Sequence, residues 1–276
     1  MNIYSNTRIK QEYSEYLLQS IRQSEHNPVL AVYLIGDNPA SLKYVSMKQK
    51  MASSYGIDVL VRAFPVDASL DQVSAQIQKD NTSPDVSGII VQLPIPQGLT
   101  PLLALIETRK DVDVLNPNSP VILIQPTVQA ALITLNDILT PHAPIEEKLN
   151  STKSMIGKIF VTVGQGTLVG KPITEFMKKN NIEVLEIDKH TKNPHMICQK
   201  GDIIVSGAGV PGLITPKWIK KGSIIIDAAT SNADGQLKGD VDMTQEFDDS
   251  ITVVPSPGGI GPLTVLSLFL NVMKSV

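Results

Sequence analysis

Seven short apolar runs, at residues 29–35, 57–64, 88–92, 159–163, 182–187, 202–205 and 223–227, alternate with longer segments of helical period. Several runs are apolar at almost every position, as in VLAVYLI at 29–35, so both faces of the strand need cover. Such strands belong to parallel sheets, because a parallel connection must cross over and the crossing segment is usually a helix that covers a face. Start signals mark the intervening helices. Asn38 stands before Pro39, an N-cap followed by a residue suited to the first helical position. Ser69 and Gln72 have the capping-box spacing. The pattern predicts an α/β fold.

A polar, proline-containing stretch at 140–153 (TPHAPIEEKLNSTK) reads as a linker, and a second strand–helix series follows it. A chain of 276 residues has room for two domains with separate cores. The expected division is 1–139 with 265–276 against 140–264. Hydrophobic residues make up 42% and charged residues 18%, a globular balance. A net charge of -3 gives no electrostatic footprint for nucleic acid. No apolar run is long enough for a bilayer, and residues 1–11 lack the apolar core of a signal peptide. Cys198 is the single cysteine, which rules out an intrachain disulfide and accords with a reducing cytosol. His26, His142, His190 and His195 show no metal-ligand spacing, so no metal site is expected.

Residues 159–163 run into Gly164-Gln165-Gly166-Thr167-Leu168-Val169-Gly170 and then a helix. Glycines in such a turn let backbone amides approach a pyrophosphate at the positive end of a helix. The spacing is one residue longer than the common fingerprint, and a turn that only packs strand on helix has the same composition. Asp188 ends the next strand, where a carboxylate can accept both ribose hydroxyls of NAD and repel the 2′-phosphate of NADP. It is equally an ordinary strand-end aspartate, and Lys189 beside it suits a 2′-phosphate. Ser206-Gly207-Ala208-Gly209 follows a further strand and leaves room for a nicotinamide ribose, or makes a tight turn.

In the first half, Tyr44 and Lys48 are four residues apart on one helix face. A ring beside an amine suits a flat ligand and a proton transfer, provided burial or a cation lowers the lysine pKa. Exposed helices also carry this pair routinely. Gln92 ends an apolar strand before Pro94 and Pro96, at the strand end where ligands of open α/β sheets gather. Its amide suits a lysine amine, or loop backbone. Asp113, in Lys110-Asp111-Val112-Asp113, suits the donor edge of a heterocycle, or solvent. Residues 254–264 (VPSPGGIGPLT) form a rigid loop of special backbone geometry, with an apolar helix expected at 265–276.

In order, GDNPASLKYVSMKQK, GIIVQLPIP, KDVD, GQGTLVGKP, SGAGVPGLI, GDVD and PSPGGIGPLT span nearly the whole chain. Together they resemble the methylenetetrahydrofolate dehydrogenase/methenyltetrahydrofolate cyclohydrolase family. The resemblance implies an N-terminal α/β catalytic, folate-binding domain and a Rossmann-type NAD(P)-binding domain with a cleft between them. It further implies a cytosolic homodimer acting on tetrahydrofolate derivatives in one-carbon metabolism. Lys48 would be the catalytic residue of the hydrolytic step, Gln92 would aim its amine, Tyr44 would stack on the aminobenzoyl group and Asp113 would grip the pterin. Ser41, Pro257, Gly258 and Gly259 would complete the folate contacts. Gly164, Gln165, Gly166, Gly170, Asp188, Lys189 and Gly209 would contact the dinucleotide.

The chain departs from the family pattern in places. Gln165-Gly166 and Asp188-Lys189 stand where Arg-Ser and His-Ser are usual. Both changes point to NAD over NADP, while Lys189 keeps NADP open. Val114 occupies the place of a glycine after KDVD, Gln125-Pro126-Thr127-Val128 replaces Pro-Cys-Thr-Pro, and the usual Leu-Asn before the Gln92 strand is not evident. Two other readings remain: a two-domain nicotinamide enzyme for a hydroxy-acid or shikimate-like substrate, and a non-catalytic dinucleotide sensor.

Overall fold

The computed structural model describes residues 1–118, 123–233 and 236–275. In chain order these form β1 (Asn2–Ile3), α1 (Thr7–Arg22), β2 (Val29–Ile35), α2 (Pro39–Tyr55), β3 (Asp58–Phe64), α3 (Leu70–Thr82) and β4 (Gly88–Val91). A 3-10 helix follows at Gln97–Leu105, then α4 (Pro126–Leu139), α5 (Ile145–Asn150), β5 (Phe160–Val163), α6 (Gly170–Lys179), β6 (Val184–Ile187), α7 (Pro194–Cys198) and β7 (Ile203–Ser206). The last elements are β8 (Ile224–Asp227), β9 (Ser231–Ala233), β10 (Gln236–Lys238), β11 (Thr252–Val254) and α8 (Gly261–Lys274). Each of the seven expected strands is present within two residues of its predicted bounds. Among the described residues no helix is long and apolar enough to cross a membrane. The chain makes two compact units, 1–12 with 127–264 and 13–126 with 265–276.

In the unit of 13–126 with 265–276, a three-stranded parallel sheet has the order β3-β2-β4. Central β2 is buried almost throughout, as its unbroken apolar sequence requires, whereas edge strand β3 alternates toward solvent. The cap signals operate as the sequence indicates. Asn38 accepts hydrogen bonds from the amides of Ala40 and Ser41, and Gly56 ends α2 at φ 74°. Ser69 and Gln72 form the reciprocal capping box of α3. At the other end of α3, Lys110 donates to the carbonyls of Asp80 (2.8 Å) and Ser83 (2.6 Å), a cation placed where the helix dipole is negative.

In the unit of 1–12 with 127–264, six parallel strands run β1-β11-β8-β7-β5-β6. β5, β7 and β8 are fully buried. β9 and β10 pair as a separate antiparallel hairpin. From β5 the chain passes through α6 to β6 on one side, then crosses back to β7 on the other. The carboxyl ends of β5 and β7 therefore form a topological switch point, the usual ligand position in such sheets.

Two expectations need correction. Residues 140–153 are not a plain linker. They contain α5, and Lys148 within it is only 1% exposed, donating to Asp137 (2.7 Å) and to the carbonyl of Pro141 (3.0 Å). Tyr4 and Arg8 also donate to Asp137, which is wholly buried, and Glu12 lies 3.4 Å from the Lys148 amine. Most of the polar residues in that stretch, His142, Glu146, Glu147 and Asn150 among them, are exposed, but Lys148 enters a charge network with residues distant in sequence. The C-terminal helix expected from 265 begins at Gly261 instead, because Pro262 fits a first turn that needs no amide donor. Val276 lies outside the described residues.

Breaking a buried pair leaves the survivor charged without compensation. Asp137→Asn should lower unfolding free energy by about 3 kcal/mol or more, measured by denaturant titration, because Lys148 loses its closest partner. A loss under about 1 kcal/mol would show that Glu12 and the Pro141 carbonyl suffice.

Candidate functional site

On α2, Ser41, Val45 and Ala52 are buried, and Lys48 falls on the same stripe at helical spacing. Its stem is partly exposed, but the Nζ reaches inward and donates to Gln92 Oε1 at 2.9 Å. Gln92 follows β4 and its backbone amide bonds to the Tyr33 carbonyl of β2. Its own side-chain amide donates to the Leu93 carbonyl at 2.8 Å, which fixes the oxygen toward the lysine. The peptide after it, Leu93–Pro94, is cis. Tyr44 lies one turn before Lys48 and is 40% exposed, its ring available at the rim. Ser41 is buried and its hydroxyl has no partner.

Burial lowers the Lys48 pKa, and the charge of Asp113 works against that shift. Burial likewise raises the Asp113 pKa, opposed by Lys48. Asp113 itself is half-buried in its loop. The KDVD segment reaches this place by pairing. Asp111 forms a parallel bridge with Ile89 of β4, and Ile89 donates to the Lys110 carbonyl at 2.7 Å. A parallel course carries Asp113 toward the carboxyl end of β4. Val114, in the glycine position, adopts φ 55°. That region disfavours a β-branched residue, so the departure is written into the backbone as strain.

At the switch point the glycines divide into two kinds. Gly164 has φ 86°, and a Cβ on it would lie 2.6 Å from the Ala208 Cα. A Cβ on Gly170 would lie 1.6 Å from the Gly164 carbonyl oxygen. These two glycines are required by packing. A Cβ on Gly166 meets nothing within 4 Å. Gly166, Thr167 and Leu168 are exposed, and α6 opens without a side-chain cap at Val169. An open turn leading into an uncapped helix at a switch point fits a dinucleotide pyrophosphate. Gln165 turns away from this space, donating to Thr162 Oγ1 at 2.9 Å, with Thr174 hydrogen-bonded to both. Asp188 is exposed after β6. Its Oδ1 accepts from the His190 amide (2.9 Å) and the Thr191 hydroxyl (2.7 Å), which lower its pKa. Lys189 beside it is also exposed. Gly209 sits at φ 71° in the turn after β7.

The loop after β11 has a cis Ser256–Pro257 bond and Gly258 at φ 97°. A Cβ on Gly259 would lie 2.3 Å from the Pro255 carbonyl oxygen. Two carboxylates not singled out by sequence lie beneath these loops. Asp240 Oδ2 accepts from the Ser206 hydroxyl (2.6 Å) and the Ala208 amide (2.8 Å), and Oδ1 from the Val210 amide (2.7 Å). Asp227 accepts from the amides of Ala229 (3.1 Å) and Val241 (2.9 Å). Burial pushes its pKa up to about 6 despite those bonds, and the charge of Asp240 adds to the rise. The available signals were the GDVD motif and an apolar strand ending in Asp227.

Residues 5–113 match the model of the tetrahydrofolate dehydrogenase/cyclohydrolase catalytic domain, and residues 139–276 that of the NAD(P)-binding domain of the same family. The chain is 34% identical over 271 residues to bifunctional protein FolD 2 of Desulfitobacterium hafniense, covering 97% of this chain and 91% of that one. Among solved structures it resembles the bifunctional FolD methylenetetrahydrofolate dehydrogenase/cyclohydrolase of Campylobacter jejuni. The TM-score there is 0.88 at 26% identity, covering 100% of this chain and 98% of the other. The Trypanosoma brucei methylenetetrahydrofolate dehydrogenase-cyclohydrolase, complexed with NADP and an inhibitor, matches with TM-score 0.83 at 25% identity, covering 99% and 96%.

The strain at Val114 is testable. Val114→Gly should raise unfolding free energy by about 1 kcal/mol, relief of the left-handed conformation outweighing the added freedom of the unfolded chain. A lower thermal midpoint in the variant would mean that Val114 packing outweighs its backbone cost.

Proposed function

The chain belongs to the tetrahydrofolate dehydrogenase/cyclohydrolase family, and from that premise we propose how its residues divide two reactions. The enzyme oxidises 5,10-methylenetetrahydrofolate to the 5,10-methenyl form with a nicotinamide dinucleotide and hydrolyses that product to 10-formyltetrahydrofolate. The hydroxy-acid dehydrogenase and non-catalytic sensor readings are not favoured. The observation that carries the assignment is the Lys48–Gln92 hydrogen bond, with half-buried Asp113 near enough for its charge to act on the lysine.

In the hydrolytic step, water adds to the methenyl carbon of a cationic substrate. Neutral Lys48 takes the proton that water loses and returns it to N5 as the C–N5 bond breaks; the remaining carbinol O–H proton passes to solvent as the C=O forms, leaving the formyl group on N10 and one proton released overall. The lowered pKa of Lys48 favours the neutral form that this requires. A bound substrate cation would lower it further. Gln92 can accept an N–H from lysine in either protonation state, so the amine stays aimed throughout. Tyr44 supplies a stacking face for the aminobenzoyl group, and Asp113 accepts from the pterin. Ser41 has an unpartnered hydroxyl to offer, and the family resemblance is what assigns a folate-binding role to Pro257, Gly258 and Gly259.

When bound, the dinucleotide accepts the hydride that leaves the methylene carbon. The substrate stabilises the resulting amidinium itself, so the chain must chiefly orient. Gly164, Gly166 and Gly170 shape the pyrophosphate turn, Gln165 supports it from below through Thr162 and Thr174, and Gly209 borders the nicotinamide ribose. NAD is the preferred cofactor on this reading. Asp188 has one oxygen engaged by its own turn and a second for ribose hydroxyls, while Lys189 is the residue that would serve NADP. On the family resemblance, the enzyme is taken as a cytosolic homodimer.

The purified chain should produce methenyl-tetrahydrofolate and reduced cofactor faster with NAD than with NADP, and Lys48→Ala should abolish hydrolysis of supplied methenyl-tetrahydrofolate. Hydrolysis at the wild-type rate by that variant would remove Lys48 from the mechanism. Faster turnover with NADP would move the ribose contact to Lys189. Asp113→Asn, assayed at saturating substrate, should shift the alkaline-rising limb of hydrolysis to lower pH. The negative charge that holds the Lys48 pKa up is then gone, so the neutral amine is populated earlier. A limb that stays in place or moves upward would mean that the two groups are not coupled.

A further inference from the structure

Gly239-Asp240-Val241 is the meeting point of two loops within the unit of 1–12 with 127–264. Asp240 is completely buried and accepts from the Ser206 hydroxyl at the end of β7 and from the amides of Ala208 and Val210 in the turn that follows. Those amides bracket Gly209, at φ 71°. Asp227, at the end of the neighbouring strand, is buried as well and holds the Val241 amide from the other side. Its second oxygen takes the Ala229 amide, and the Ala229 carbonyl accepts from the Ser256 hydroxyl at the start of the 255–259 loop. The packing leaves no slack. A Cβ on Gly239 would lie 2.1 Å from Asp227 Oδ2 and 2.9 Å from the Ser256 carbonyl oxygen. Both carboxylates are spent on short bonds to loop backbone and neither faces open space. Two buried acids in one small volume carry a desolvation cost that an apolar pair would avoid. The use that the geometry gives them is to fix loop conformation through charge-assisted bonds, the strongest kind available to a backbone amide.

We propose that Asp240 and Asp227 are positioning residues of the dehydrogenase reaction, holding the 207–210 turn and the 255–259 loop in one register. The proposal rests on the reading above, in which Gly209 borders the nicotinamide and Pro257 to Gly259 contact folate. Asp240 sets the turn directly. Asp227 ties that turn to the second loop through Val241 on one side and Ala229 and Ser256 on the other. Hydride transfer between two flat rings needs both to be placed to within a fraction of an ångström, and neither loop supplies a charged side chain of its own to do so. Hydrolysis at Lys48 makes no use of the 207–210 turn.

The bifunctional enzyme provides its own control. Asp240→Asn keeps the shape but turns an N–H toward at least one of the three donors. Binding of NAD and NADP would be followed by calorimetry in the full-length protein, alongside dehydrogenase kinetics and hydrolysis of supplied methenyl-tetrahydrofolate. The expected result is an increase of about tenfold or more in the cofactor Kd and KM, with hydrolysis within about twofold of wild type. Ser206→Ala removes one contact of the three without misplacing a donor. It should show the same split with a smaller increase, and it keeps the test open if the first variant does not fold. Unchanged cofactor Kd in a folded variant would overturn the proposal. So would a parallel fall of both activities that follows the folded fraction, since that marks a scaffold role alone. A wild-type protein that binds cofactor without oxidising folate would refute the proposed function, while the Kd comparison would still decide the role of Asp240.

Discussion

Parallel pairing puts the carboxyl ends of all strands in a sheet along one edge, and each of the two sheets carries its chemistry on that edge. Gln92 follows β4, the glycine turn of 164–170 follows β5, Asp188 follows β6, the 207–210 turn follows β7, and Pro255 to Gly259 follow β11. None of these residues is close to the others by virtue of sequence. Within the six-stranded sheet the ladder register aligns the turns: Val163 pairs with Ser206 and with Ile187, so those after β5, β6 and β7 start at one level. The glycines then decide how near those turns can come. Gly164 and Gly207 leave no room for side chains where the β5 and β7 turns touch, since a Cβ at 207 would meet Val169 at 2.5 Å. A slip of one residue in this sheet would misalign these turns, so the hydrophobic pattern that fixes the register also fixes their placement.

The treatment of buried amines separates structure from chemistry. Lys148 is surrounded by Asp137, Glu12 and a backbone carbonyl, so its charge is matched within hydrogen-bonding distance. Lys48 is given a neutral amide instead, with the nearest carboxylate acting only through its field. An ammonium that has lost water and received only an amide oxygen is favoured to release its proton, and its pKa falls. Asp113 limits that fall without cancelling it. The same contrast applies to the acids: Asp80 is held low by Arg62, Tyr33 and Gln76, whereas Asp227 has amides alone and is pushed up to about 6.

Much of this was legible in the chain. Strand positions followed from apolar runs, α2 from Asn38-Pro39 and α3 from Ser69 to Gln72, because caps and periodicity are local signals. Lys48 and Gln92 were paired by motif, and the structure places them 2.9 Å apart. What stayed hidden depended on partners distant in sequence. Lys148 looked like a linker lysine because Asp137 and Glu12 are invisible from its neighbours. Strand β11 has only three residues and leans on β8 and β1 for definition. Asp240 stands in the GDVD motif, but its role is not local, since its partners lie thirty or more residues earlier. Val114 was readable as a departure from a family pattern, but its φ of 55° was not.

The 207–210 turn and the 255–259 loop carry no charged side chain, which accords with what hydride transfer asks of a protein. There is no proton to move and no external charge to stabilise, so the catalytic contribution reduces to holding two ligands at one distance and angle. Side chains that touch ligand suit proton transfer, where a pKa must match the task, and that is the part proposed for Lys48, Gln92 and Asp113. Orientation is better served by backbone that cannot relax. Backbone becomes rigid when its amides are bonded to something that is itself immobile, and a buried carboxylate bonded on both oxygens meets that condition. On this argument the residues that govern the oxidative step lie one layer behind the ligand, where a search for polar groups facing open space does not look, and the residues that govern hydrolysis lie in front.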